Sequence, residues 1–109
     1  MRHYLLLAII TALVLAGCGS SHQYRVKADY LDVLLNQPRA EKVLFASSLD
    51  GFQLHPAEKK GGSTWTVTVA ANQAFTYFYI IDGALFIPSC KLKQLDDFGS
   101  KNCVYLPEL

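Results

Sequence analysis

The stretch from Thr64 to Gly83, TWTVTVAANQAFTYFYIIDG, does most to limit what this chain can fold into. Trp65, Val67 and Val69 alternate with Thr64, Thr66 and Thr68, the period-2 pattern of a strand with one buried face. Ala71-Asn72-Gln73 interrupts the pattern. A second run, Phe75 to Ile81, is apolar or aromatic at almost every position. Such a run suits a strand covered on both faces, or one with a core face and an aromatic outer face. Asp82-Gly83 ends it with a turn signal, and Ala84 to Pro88 opens another short strand. Two strands of one hairpin are therefore expected here, and a sheet protein around them.

The 109 residues suffice for one domain with one core. Arg2 gives a short positive start, and Tyr4 to Leu15 is an apolar run broken by Thr11. The run is short for a bilayer span and small residues follow it, so it reads as a secretory signal. Leu15-Ala16-Gly17-Cys18 resembles the lipobox of bacterial lipoproteins. That resemblance implies cleavage before Cys18 and acylation of its thiol, with the acyl chains as membrane anchor at about 0.8 kcal/mol per buried CH₂. Gly19 stands where enterobacteria-like systems place Asp for inner-membrane retention, which points to the outer membrane, facing the periplasm. The expected organisation is a signal peptide over 1–17, a lipidated Cys and tether over 18–29, and a β-domain over 30–109. Without Arg2, the 10 Lys and Arg come into balance with the 9 Asp and Glu. A neutral domain argues against nucleic acid as a partner and against polybasic membrane attachment.

Gly19 to Gln23 reads as a polar tether. Tyr24 to Leu35 fits either a helix face or an alternating strand, with a strand favoured at its end because Asn36-Gln37-Pro38 closes it like a turn. Val43 to Ala46 is a short apolar run. Ser47 to Phe52 is a loop, and His55 to Ser63, with Pro56 and Gly61-Gly62, is a surface loop. Cys103 to Leu106 is the last strand, stopped by Pro107. About seven short strands with dense turn signals and no convincing long helix indicate an all-β, antiparallel β-sandwich.

The order of these pieces resembles the glycogen-binding module of the AMP-activated protein kinase β-subunit. The same early-set, immunoglobulin-like domain stands at the front of isoamylases and glycogen-branching enzymes. The resemblance runs from Leu31 to Leu106. Its marks are Pro38-x-Ala40-x-x-Val43, Leu49-Asp50-Gly51-Phe52, Gly62-x-x-Trp65, Tyr77 to Gly83, and Phe98-Gly99-Ser100-Lys101-Asn102. It implies a ligand surface at Phe52, Phe78, Leu85, Ser100 and Asn102. Phe52 and Leu85 stand where sugar-binding members carry tryptophans, and Phe78 where they carry a lysine. Asn102 and Ser100 keep an amide and a hydroxyl that bond sugar. A flat ring covers the C–H face of a pyranose and an amide bonds its hydroxyls; Leu85 does neither.

With Cys18 carrying lipid, Cys90 and Cys103 remain as an even pair in an oxidising compartment. The resembled fold brings their segments together, so a disulfide is expected; two buried free thiols are the alternative. No residues read as catalytic. His22 sits in the tether and His55 in a loop, Ser47 and Ser48 lack a nucleophile-elbow context, and Asp96-Asp97 reads as a solvated or capping pair. No metal site is expected, because Cys-x-x-Cys and paired His are missing, and no cofactor is implied.

Tyr77 and Tyr79 share a strand face with Ile81, and Phe78 shares the other with Ile80. Either one set fills the core while the other packs beneath a loop or lipid-side surface, or Phe78 joins Phe52, Leu85 and Phe86 in an exposed apolar patch that takes a partner. The residues favour an envelope lipoprotein with a non-catalytic interaction or structural module, docking a protein partner, whose glycogen-type site is degenerate. The alternative is a carbohydrate-binding module for α-glucan or another envelope glycan.

Overall fold

The structure, a computed structural model, describes residues 22–97 and 99–107. The expected signal peptide, the expected lipidation site Cys18, the expected tether residues Gly19 to Ser21, Phe98 and the C-terminal Glu108 and Leu109 lie outside the described residues.

Among the described residues, ten strands form two antiparallel sheets. Sheet one has the order β1 (His22–Lys27), β2 (Tyr30–Asn36), β6 (Thr64–Ala70), β5 (Glu58–Lys60). Sheet two has the order β4 (His55–Pro56), β3 (Val43–Ser47), β7 (Phe75–Ile81), β10 (Lys101–Tyr105), β9 (Lys93–Leu95), and β8 (Ala84–Phe86) also pairs with β7. The all-β sandwich expected from the turn-rich pattern is therefore present. No helix among the described residues is long and apolar enough to cross a membrane.

Leu31, Val33 and Leu35 of β2 stand opposite Val69, Val67 and Trp65 of β6, so the alternating residues of both strands point inward together. Facing them are Phe45 of β3, Tyr77 and Tyr79 of β7, and Cys103 and Tyr105 of β10, all buried. Each large side chain so buried contributes about 1.5–3 kcal/mol. Trp65 belongs to this core, its Nε1 donating to the carbonyl of Gln37 at 3.0 Å. Asp82 (φ 49°) and Gly83 (φ 85°) both adopt left-handed backbone, as a tight hairpin turn between β7 and β8 demands. The Asp82 carboxylate then accepts the amides of Glu41 (3.0 Å) and Lys42 (2.8 Å) and holds β3 to the turn. The Cys90–Cys103 disulfide is formed. It ties the segment after β8 to β10, and closing a loop of this size contributes about 3 kcal/mol in the chain-entropy model.

Three expectations shift. The segment from His22 to Lys27, placed in the tether and its surroundings, is strand β1, paired with β2 at all six residues. The ambiguous Tyr24 to Leu35 is thus two strands joined at Ala28-Asp29. The expected loop from His55 to Ser63 carries the short, exposed strands β4 and β5. The strand count rises accordingly.

His22, read as a tether residue, is buried. Its Nε2 lies 3.3 Å from the Tyr77 hydroxyl and 3.4 Å from that of Tyr79, while the Tyr24 and Tyr77 hydroxyls bond to each other. Two tyrosines in the middle of a core need such partners, and β1 brings them. Burial pushes the His22 imidazole down to about 4. It also raises the phenols of Tyr77 and Tyr79, so all three groups are neutral at ordinary pH.

Candidate functional site

The outer face of sheet two gathers four of the five residues expected to form a ligand surface. On β7 the residues that alternate with the core tyrosines, Phe78 and Ile80, point outward. Ala46 of β3 stands beside Phe78, and Leu85 of β8 stands beside Ile80. On the side of β7 away from β3, β8 covers the upper half and β10 the lower half, so Leu85 and Asn102 bracket Phe78.

Phe52 reaches this face from the Ser47–Phe52 loop. Ser47 caps a single 3-10 turn (Ser48–Asp50), with its hydroxyl accepting from the Leu49 amide. Gly51 (φ 76°) and Phe52 (φ 65°) follow, both left-handed, and reverse the chain. A non-glycine residue in that region costs about 1–2 kcal/mol. The Phe52 amide bond to the Ser47 carbonyl (2.8 Å) and the Ser48 hydroxyl accepting from the Thr76 amide (3.0 Å) hold the loop against β7. Asp50 staples its far side by accepting from the Gln53 amide and bonding the His55 ring. The bond to His55 holds the Asp50 carboxyl below its usual range. The pair fastens the loop.

The result is a ring pair. Phe52 lies nearly parallel to Phe78, centroids 5.7 Å apart and planes 14° off parallel. The small Ala46 beneath leaves room for this and is itself fully buried. Phe52 remains 38% exposed and Leu85 55%. Asn102 is buried at the edge of this face. Ser100 lies in the turn before β10, where its amide donates to Asp96 at 2.9 Å. The assembled surface is an uncharged apolar platform with an amide at its margin. Phe86, grouped with the patch in the sequence reading, departs from it: it pairs with Tyr79 on the inner face and packs on the core.

Among the described residues, no three His, Cys, Asp or Glu side chains are placed to hold a metal ion. Sequence reasoning missed the His22–Tyr24 cluster and the role of β1. The signal was present as alternation, with His22, Tyr24 and Val26 facing in and Gln23, Arg25 and Lys27 facing out.

No family model and no curated protein matches this chain. Solved structures do resemble it. The enterobactin esterase FES from Shigella flexneri superposes with a TM-score of 0.55 at 11% identity, over 84% of this chain and 34% of the esterase. A pullulanase from Bacillus acidopullulyticus gives 0.50 at 15% identity, over 77% of this chain and 11% of the pullulanase. CBM31 from a β-1,3-xylanase gives 0.42 at 14% identity, over 81% and 86%. This chain thus spans about a third of the esterase and about a tenth of the pullulanase. What the first two share with it is the fold.

Proposed function

We propose that this domain is a non-catalytic carbohydrate-binding module, held at a bacterial envelope through lipid on Cys18 and taking a neutral glycan on the outer face of sheet two. The observation that carries the reading is the Phe52–Phe78 pair with the Asn102 amide beside it. A parallel ring pair covers the C–H face of a pyranose, and a primary amide both donates to and accepts from its hydroxyls. The face carries no charge, which suits a neutral sugar. Sharing a fold with part of a pullulanase supports the reading without deciding it, since one fold hosts many functions.

The test is titration with maltoheptaose and β-cyclodextrin watched by amide NMR. Saturable shifts centred on Phe52, Phe78 and Asn102, abolished by Phe52→Ala, are expected. One observation favours a second reading: Leu85 is an exposed aliphatic residue where a second ring would serve a sugar better. If neither sugar gives saturable shifts, the patch is a protein-docking surface instead. The address is checked separately, because Cys18→Ser should move the protein out of the membrane fraction.

A further inference from the structure

The ring pair stands over β3 and β7, and sheet two continues beyond them to β10 and then β9. Cys103 of β10 pairs with Tyr77 and Val104 with Thr76. The same register sets Asn102, one residue earlier on β10, level with Phe78, one residue later on β7. Asn102 pairs in turn with Gln94 of β9. Cys103 is fully buried in the core, so the alternating Asn102 points to the outer face, and Gln94 opposite it points the same way. One row of side chains therefore crosses three strands: Phe78, Asn102, Gln94.

The two amides in that row are unlike. Asn102 is only 6% exposed, whereas Gln94 is exposed. A molecule lying on the face meets the Gln94 amide first. Gln94 is also held in place by both ends of its short strand. After β9, the Asp96 amide donates to the Ser100 carbonyl at 2.8 Å, and the Asp96 carboxylate accepts the Ser100 amide at 2.9 Å, which closes the turn into β10. Before β9, the Val104 amide donates to the Leu92 carbonyl at 2.9 Å, and the Cys90–Cys103 disulfide ties the preceding segment to β10. The backbone of Gln94 is thus set before any ligand arrives, and binding has only its side chain to order.

We propose that Gln94 is a further ligand-binding residue of this face, and that the ligand is an oligosaccharide laid across the strands. One sugar unit lies on the Phe52–Phe78 rings and the next lies over Asn102 and Gln94. Neighbouring strands are about 4.8 Å apart, so two steps put Gln94 about 10 Å along the row from Phe78. A single pyranose stacked on Phe78 does not span that distance. The primary amide of Gln94 serves the second unit by donating to one hydroxyl and accepting from another. The proposal rests on the glycan reading of this face and adds to it a direction and a ligand longer than one sugar.

The test compares maltoheptaose with methyl α-glucoside, a single sugar unit, by NMR. It uses the full chain in micelles of a polyoxyethylene detergent, whose head group is not a sugar. Maltoheptaose should move the side-chain amide signals of both Asn102 and Gln94, and the glucoside should move signals at Phe78 without reaching Gln94. Gln94→Ala should weaken maltoheptaose about fivefold, the effect of one lost hydrogen bond. It should leave the glucoside response and the unfolding midpoint as they are in the wild type. Gln94→Met keeps the length of the side chain and loses the amide, so it should bind as Gln94→Ala does. Maltoheptaose binding indifferent to Gln94→Ala, or equal weakening of both sugars, overturns the proposal and leaves the glycan reading standing. So does restored binding in Gln94→Met, which makes bulk and not the amide responsible. If neither maltoheptaose nor β-cyclodextrin binds the wild type, the glycan reading itself falls, and the role of Gln94 falls with it.

Discussion

The outer faces of the two sheets are built on the same pleated backbone and over the same core, yet they differ in kind. Sheet one presents Thr64, Thr66 and Thr68 beside Asp32, Leu34 and Asn36, with Arg25 and Lys27 at its edge. Sheet two presents Phe78, Ile80, Leu44 and Leu85. The first face is mostly polar, although Thr66 on it is buried, and it has polar partners of its own, such as the Thr68 hydroxyl donating to Asp32 at 2.6 Å. The second is apolar, and the chain covers part of it by folding Phe52 back at the cost of a left-handed residue. Water does not require that arrangement. The proposed glycan contact would use this apolar face and the strained loop that holds it.

Both faces hang on one core, and the largest expected effect tests that dependence. Phe45 packs on Tyr77 and Tyr79 with centroids 5.5 Å away in each case. Phe45→Ala should cost about 3–5 kcal/mol. Thermal unfolding followed by circular dichroism and by Trp65 fluorescence should show both sheets lost in one transition at a lower temperature. Two separate transitions would mean that the sheets, and their faces, are independent.

A pH titration separates the inner surface from both outer ones. His22 is depressed to about 4 in the folded chain, against about 6.5 unfolded. The unfolded state therefore binds the extra proton between those values, and stability is highest above 6.5 and falls as pH drops towards 4. The loss amounts to at most about 3 kcal/mol. Urea midpoints at pH 7 and pH 4.5 should differ in the wild type and converge in His22→Phe. An unchanged pH dependence in the variant would show that β1 is not what ties the inner tyrosines down.

Strict alternation in Thr64–Ala70 indicates a strand with one wet face, and the nearly continuous apolar run of Phe75–Ile81 indicates a strand either covered on both faces or carrying an aromatic outer face. The division of Tyr77 and Tyr79 from Phe78 followed from period 2 alone, and the structure keeps it. What stayed hidden depended on contacts from afar. His22 sits beside Gly, Ser and Gln, so local composition reads as tether, whereas its burial involves two buried phenols 55 and 57 residues away. Phe86 was grouped with the patch because it is adjacent to Leu85, but adjacent strand residues face opposite sides. Phe52 was placed by resemblance; its parallel contact with Phe78 depends on Gly51 and on Ala46 being small, which no periodicity reveals.

The smallest effect is also the sharpest. Phe52→Ala removes one ring of a half-exposed pair and leaves the left-handed backbone strain unchanged, so its cost is that of the lost ring contact, about 0.5–1.5 kcal/mol. Thr68→Ala removes one exposed hydroxyl bond from the opposite face and should cost about 0.5–1 kcal/mol. Denaturant titration should therefore barely distinguish the two variants. Sugar titration should separate them fully: Thr68→Ala keeps saturable shifts at Phe78 and Asn102, and Phe52→Ala loses them. Equal loss of binding in both would mean that stability, not the ring surface, governs it. Equal retention would leave Phe52 as loop packing, and the contrast between the two faces would then be one of composition without function.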